Sequence, residues 1–127
     1  MSLIGRILRR DALTRKRGAD AEQLAADYLA RRGLHIEARN FRVRGGEIDL
    51  VCIEGGTRVF VEVRLRSNAD FGGAAASITA AKRRRIVLAA RHYLAQHGDS
   101  NCRFDCVLLD ALDARRIEWI RDAFAAD

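Results

Sequence analysis

A chain of 127 residues, 49% hydrophobic and 31% charged, is one domain's worth of polypeptide, able to bury about two thirds of its unfolded surface in a core. Its apolar runs are far too short to cross a bilayer, and the basic N-terminus lacks the continuous apolar stretch of a secretory signal. The net charge of +6 is a weak pointer to nucleic acid, because residues 1–17 hold six basic groups against one acid while the remainder carries 17 against 16.

Residues 1–17 read as a basic segment ahead of a domain over 18–127. Leu3, Ile4, Ile7 and Leu8 give it a weak amphipathic pattern, which suits a docking segment or a non-specific DNA arm; a mobile segment is the expectation. The spacing of Ala21, Leu24, Ala25, Tyr28 and Leu29 predicts a helix over 18–32, with Gly33 as its stop. A short strand over His35–Arg39 comes next.

The adjoining stretch carries the chemistry. Gly46-Glu47-Ile48-Asp49-Leu50-Val51 and Phe60-Val61-Glu62-Val63-Arg64 predict strands near 46–53 and 58–65, joined into a hairpin by the turn signal Glu54-Gly55-Gly56-Thr57. Alternate strand residues share a face, so Glu47 goes with Asp49 and Glu62 with Arg64, and strand pairing brings Asp49 beside Glu62. Adjacent carboxylates repel each other unless something positive lies between them. A divalent metal does this, and so does an ion pair with Arg64, Arg44 or Arg66; both readings stay open on spacing alone. Glu47 reads equally as a solvated strand end.

Residues 67–77, with Gly72-Gly73, read as a loop. Ile86, Ala89, Ala90, Tyr93 and Leu94 predict a second helix over Thr79–Gln96, capped by Ser77 or Thr79 and ended by Gly98. Lys82-Arg83-Arg84-Arg85 fills its first turns, where positive charge opposes the helix dipole. That placement has a purpose if the helix start meets phosphate, although part of the run is a solvated face on any reading. Lys82, Arg83 and Arg85, with Arg42, Arg44, Arg64 and Arg66, would then line a groove for a nucleic-acid backbone. Aromatic residues do not interleave with them, so base stacking is not expected. Arg103–Leu109 reads as a buried central strand, and a last strand near Arg116–Ile120 completes the order helix, three strands, helix, two strands. Cys52, Cys102 and Cys106 form no C-x-x-C pair and read as buried free thiols of a reducing, cytoplasmic setting; His35, His92 and His97 lack zinc spacing.

Taken together, Gly18-x-x-x-Glu22, Gly46-Glu47-Ile48-Asp49-Leu50-Val51, Phe60-Val61-Glu62-Val63, Lys82, Arg103-Phe104-Asp105 and Ala123-Phe124 resemble the YraN-like family of uncharacterised bacterial proteins, over roughly residues 18–125. That family is similar to archaeal Holliday junction resolvases and to the PD-(D/E)xK nuclease superfamily. The resemblance implies a restriction-endonuclease-like α/β fold, with a central mixed β-sheet flanked by helices in the order αβββαββ. It also implies a Mg²⁺ (or Mn²⁺) site with Asp49 and Glu62 as ligands, completed by the Val63 carbonyl, with Glu22 as a further acid and Glu47 in an outer role. The implied activity is metal-dependent, structure-selective endonucleolytic cleavage of branched or otherwise structured DNA, by a homodimer because two strands need two sites. Lys82 matches a basic position of the second helix.

Position 64 departs from the pattern, which has lysine where this chain has Arg64. An arginine stays protonated and cannot act as a general base, although it can hold the attacking water or the developing charge. The alternative function is therefore a non-catalytic nucleic-acid-binding module with a degenerate site, and a third is a scaffold that keeps the fold alone.

Overall fold

The computed structural model describes residues 2–65 and 78–126. Arg66, the alternative cap Ser77 and the predicted loop over 67–77 lie outside the described residues. The elements are α1 (Leu3–Arg31), β1 (His35–Val43), β2 (Gly46–Glu54), β3 (Thr57–Leu65), α2 (Ala80–His97), β4 (Asn101–Leu109), a 3₁₀ turn (Ala114–Arg116) and β5 (Ile117–Phe124). This is the order expected from the sequence. The five strands form one sheet in the order β1-β2-β3-β4-β5, antiparallel throughout except for the parallel pair β3–β4. Parallel neighbours need a long crossover, and α2 lies in the segment that provides it. The result is a mixed sheet with a helix on each face, a restriction-endonuclease-like arrangement.

Three boundaries differ from expectation by more than two residues. β1 continues to Val43 and β5 to Phe124. The largest difference is α1, which begins at Leu3 rather than at residue 18 and runs for 29 residues. Its start has a local cause: the Ser2 hydroxyl accepts a hydrogen bond from the Gly5 N–H at 3.1 Å, a helix cap. Leucine, arginine, lysine and alanine dominate the turns beyond this cap, and all are good helix formers. Eighteen residues make five turns, so Leu3, Ile4, Ile7 and Leu8 share a face with Ala21, Glu22, Ala25 and Ala26. The second group packs on the sheet and the first overhangs it; Ala25 and Leu29 are 0% exposed, whereas Leu3 and Ile4 are each 70% exposed.

Each sheet face carries its own core. Ala21, Ala25, Ala26 and Leu29 of α1 join Leu50, Cys52, Val59, Val61, Val107 and Leu109 on one side. Ile86, Ala89, Ala90 and Tyr93 of α2 join Ile48, Val51, Phe60, Phe104 and Leu108 on the other. The Tyr93 hydroxyl donates to Glu37, which Arg58 also meets at 3.1 Å, and this fastens α2 to β1 and β3. Asp105 of β4 is wholly buried and accepts from Arg103 Nε at 3.0 Å, Trp119 Nε1 at 2.9 Å and the Asp122 N–H at 2.9 Å. Cys52 and Cys106 are buried as expected, but Cys102 is exposed because it lies near the start of β4. Among the described residues no helix is long and apolar enough to cross a membrane.

Gly46 opens β2 against the backbone of α2. A Cβ there would lie 2.3 Å from the Arg85 carbonyl oxygen and 3.2 Å from the Ala89 nitrogen. Gly46→Ala is therefore expected to push α2 off the sheet and to cost at least about 2 kcal/mol of stability by urea unfolding. Gly18, inside α1, has nothing within 4 Å of an added Cβ. Gly18→Ala should stabilise the protein by about 0.5–1 kcal/mol in the same measurement.

Candidate functional site

The β2–β3 ladder ends at Leu50↔Val61, and Asp49 is the next residue of β2. Its carboxylate, rather than a backbone carbonyl, accepts the Val63 N–H, with Oδ2 at 2.8 Å. Regular alternation breaks at this point too: Ile48 and Leu50 belong to opposite cores although they are two residues apart. Across the β1–β2 ladder, between the pairs Arg39↔Leu50 and Phe41↔Ile48, stands Asn40 at φ 51°. Asparagine is among the few residues that tolerate this left-handed conformation.

Glu62 lies beside Asp49 as the hairpin reading expects, and the two carboxyl groups share a hydrogen bond. Burial and then the Asp49 charge push Glu62 up to about 7, against the pull of Lys82. Asp49 is raised as well, first by burial, while the Val63 N–H and Lys82 draw it back. Lys82 is held in the first turn of α2, where Thr79 Oγ1 caps its N–H at 3.1 Å. Its Nζ stands 2.7 Å from Glu62 Oε1, with the lysine side chain 37% exposed and the glutamate 4%. The lysine assigned from sequence to a phosphate-lined groove is thus turned onto the acidic pair. Of 23 basic residues in this chain only two are lysines, and one of them is here.

Glu22 reaches the same place from α1. It is half-buried, and its proton affinity is raised by burial and by Asp49, while a hydrogen bond with the Asn40 side chain and the charges of Arg42 and Arg39 oppose the rise. Asn40 is a member of the site that sequence reasoning missed; its only signal was an amide residue inside an otherwise strand-forming run. Glu47 stands further out, with Arg42 Nε at 3.7 Å, and adds a minor repulsion on Asp49. Arg64, half-exposed, comes two residues after Glu62 on β3, and its charge is felt at the Cys106 thiol. Arg42, Arg44 and Arg85 are exposed or partly so, whereas Arg83 donates from Nε to the Ile78 carbonyl at 3.1 Å.

Two hard carboxylate oxygen donors with raised proton affinity are what a small divalent cation relieves. Among the described residues no three His, Cys, Asp or Glu side chains form a ready-made metal cage. A Mg²⁺ ion takes one or two carboxylates and keeps several waters, so two neighbouring carboxylates are a sufficient donor set for it. The donors present therefore fit the group, with Asp49 and Glu62 in front and Glu22 behind.

A family model described as uncharacterised protein family UPF0102 matches residues 21–109. The chain is 61% identical to the UPF0102 protein of Dechloromonas aromatica over 114 residues, 90% of this chain and 92% of that protein. It is also 61% identical over 109 residues to the one from Methylobacillus flagellatus, covering 86% and 96%. A third such protein, from Nitrosomonas europaea, is 57% identical over 109 residues, 85% and 92% of the two chains.

The Glu62 shift has a sign that can be measured. The folded protein holds this proton more tightly than the unfolded chain, whose carboxyl has the ordinary value of 4.5. The contribution to stability is thus greatest in acid, falls as pH rises from 4.5 to about 7, and levels above that. Urea midpoints in EDTA should show wild type losing stability relative to Glu62→Gln over this window. A difference that stays constant with pH would mean that the pair is not held protonated.

Proposed function

The chain belongs to the uncharacterised protein family UPF0102, and we propose that it is a Mg²⁺- or Mn²⁺-dependent endonuclease acting on branched or otherwise structured DNA. One observation carries the reading. Asp49 and Glu62 meet where two strands part, and Lys82 places an ammonium 2.7 Å from Glu62 Oε1. Phosphodiester hydrolysis needs an oriented water and a way to hold negative charge on the phosphate. Asp49, Glu62 and the Val63 carbonyl would hold the metal, which would supply Lewis-acid stabilisation of that charge and acidify the attacking water.

The chain's own groups do the rest. The Val63 N–H fixes one oxygen of Asp49, so this carboxylate enters the site already oriented. Lys82 lowers the cost of ionising Glu62 and presents its remaining N–H groups to a phosphate oxygen. This is the charge that the superfamily pattern assigns to position 64, delivered here from the helix. Glu22, with raised proton affinity, is suited to take a proton from the attacking water. Arg44, Arg85 and Arg42 offer cations to the backbone, and two-strand cutting calls for a homodimer. The Lys82–Glu62 bridge also favours a second reading, a binding module in which the ammonium already serves as the cation and no metal enters.

Cleavage of a panel of duplex, flap and four-way-junction DNA decides between the two. Product that requires Mg²⁺ or Mn²⁺ and disappears in Asp49→Asn is the expected result, and binding without any product sinks the nuclease reading. Lys82→Ala should lower the cleavage rate by about 10²-fold or more, as loss of a charge-stabilising donor does. Arg64→Lys should change it little, because the ammonium comes from Lys82; a large gain would return the catalytic role to position 64. Mg²⁺ should also raise the melting temperature more at alkaline than at acid pH, where Glu62 holds its proton.

A further inference from the structure

Asn40 lies in one row of the sheet with the two acids. The pairs Arg39↔Leu50 and Phe41↔Ile48 put it across β1–β2 from Asp49, and Leu50↔Val61 puts Glu62 across β2–β3 from the same residue. Alternation along β1 breaks here. Ala38 and Phe41 both pack on the α2 side of the sheet, although they are three residues apart. The two residues between them both reach α1. Arg39 Nη1 donates to Gln23 Oε1 at 2.8 Å, and the Asn40 side chain donates to the Glu22 carboxylate. In a regular strand residue 40 would share the face of Ala38, and the backbone turn at φ 51° directs it to the α1 side instead.

The helix fixes only where the Glu22 side chain starts, and three rotatable bonds leave its carboxylate free to swing. The charges of Asp49, Arg42 and Arg39 act on it through space, the first repelling and the others attracting. Both guanidiniums are already engaged, Arg39 with Gln23 and Arg42 with Glu47 at 3.7 Å. Among the described residues the Asn40 amide is the group that meets Glu22 with a directional bond. We infer that Asn40 is a positioning residue: its amide holds the Glu22 carboxylate toward Asp49, and it acts through Glu22 rather than on metal or DNA. Asparagine meets both needs of the position. It tolerates a positive φ, as glycine and aspartate do, and of the three it alone carries a side-chain N–H donor for a carboxylate. Asn40 is exposed, so packing makes no further demand on it. Its part in catalysis rests on the nuclease reading above, in which Glu22 accepts a proton; its coupling to Glu22 is measurable without that reading.

The test is a pair of double-mutant cycles, on urea midpoints and on single-turnover cleavage in Mn²⁺, with Asn40→Gly, Glu22→Ala and the double variant. Asn40→Gly should lower the urea midpoint of wild type and change that of Glu22→Ala much less. It should slow cleavage about tenfold without weakening DNA binding, and by less than about twofold once Glu22 is gone. Asn40→Asp keeps the backbone turn but sets another acid against Glu22, and should be at least as slow as Asn40→Gly. Additive urea midpoints overturn the inference, whether or not the protein cleaves DNA. Wild-type rates in both Asn40→Gly and Asn40→Asp reduce position 40 to its backbone turn and overturn it as well. An equal loss from Asn40→Gly with and without Glu22 overturns it in favour of an amide that meets metal or DNA directly. Coupled midpoints with no cleavage by wild type leave Asn40 holding Glu22 and remove the nuclease reading instead.

Discussion

At the end of the β2–β3 ladder the Val63 N–H needs an acceptor, and the Asp49 carboxylate provides it at 2.8 Å. A charge-assisted bond of this kind is roughly twice as strong as one between neutral groups, so it holds Asp49 firmly inward at a place where strands separate. The other members gather around that anchor. Glu62 adjoins Val63 on β3 and Lys82 comes down from α2 onto it, while Glu22 on α1 hydrogen-bonds Asn40 and feels the Asp49 charge from further off. Gly46 makes this possible on the α2 side, since the helix backbone passes where any side chain would stand.

The sheet contains a second buried acid, and the comparison is informative. Asp105 is met by a guanidinium, an indole N–H and a backbone N–H, and Arg103 is balanced in turn by Glu54 at 2.9 Å. That carboxylate is fully provided for and ties β5 to β4. Asp49 and Glu62 are the reverse: one ammonium serves two facing acids, and Glu62 remains raised to about 7. A chain with 21 arginines could have neutralised the pair with a guanidinium, as it does at Asp105. That incomplete compensation is the feature on which the proposed metal reading rests.

Much of this was legible in the sequence because it rests on local signals. Period-two apolar runs, a Gly-Gly turn and an acid in each run placed the hairpin and the pair Asp49 and Glu62. The helix period placed Ile86, Ala89, Ala90 and Tyr93 on the inner face of α2. The unreadable part depends on distance in space. Lys82 looked like one of four equivalent cations, and only the angle at which α2 crosses the sheet singles it out. Asn40 became a site residue through a backbone conformation that no spacing rule encodes. The start of α1 was misplaced for another reason: the charge of residues 1–17 argued for a tail, whereas intrinsic helix propensity and the Ser2 cap were enough to prolong the helix. Arg64 illustrates the opposite limit, since its departure from the pattern was plain in the sequence while its consequence was not.

The in-phase stripe of α1 has a mechanical consequence. Leu3, Ile4, Ile7 and Leu8 and the residue Glu22 lie along one side of the same helix, and Ile4 and Glu22 are separated by five whole turns, about 27 Å. An α-helix is stiff to twisting over that length, so the azimuth of its far end and the azimuth of Glu22 are a single degree of freedom. A rotation of one residue's step, about 100°, would carry the Glu22 carboxylate off the sheet side altogether. The overhang and the Glu22 carboxylate are thus carried by one rigid element, so the side that the outer turns present is fixed by the packing that holds Glu22 near Asp49.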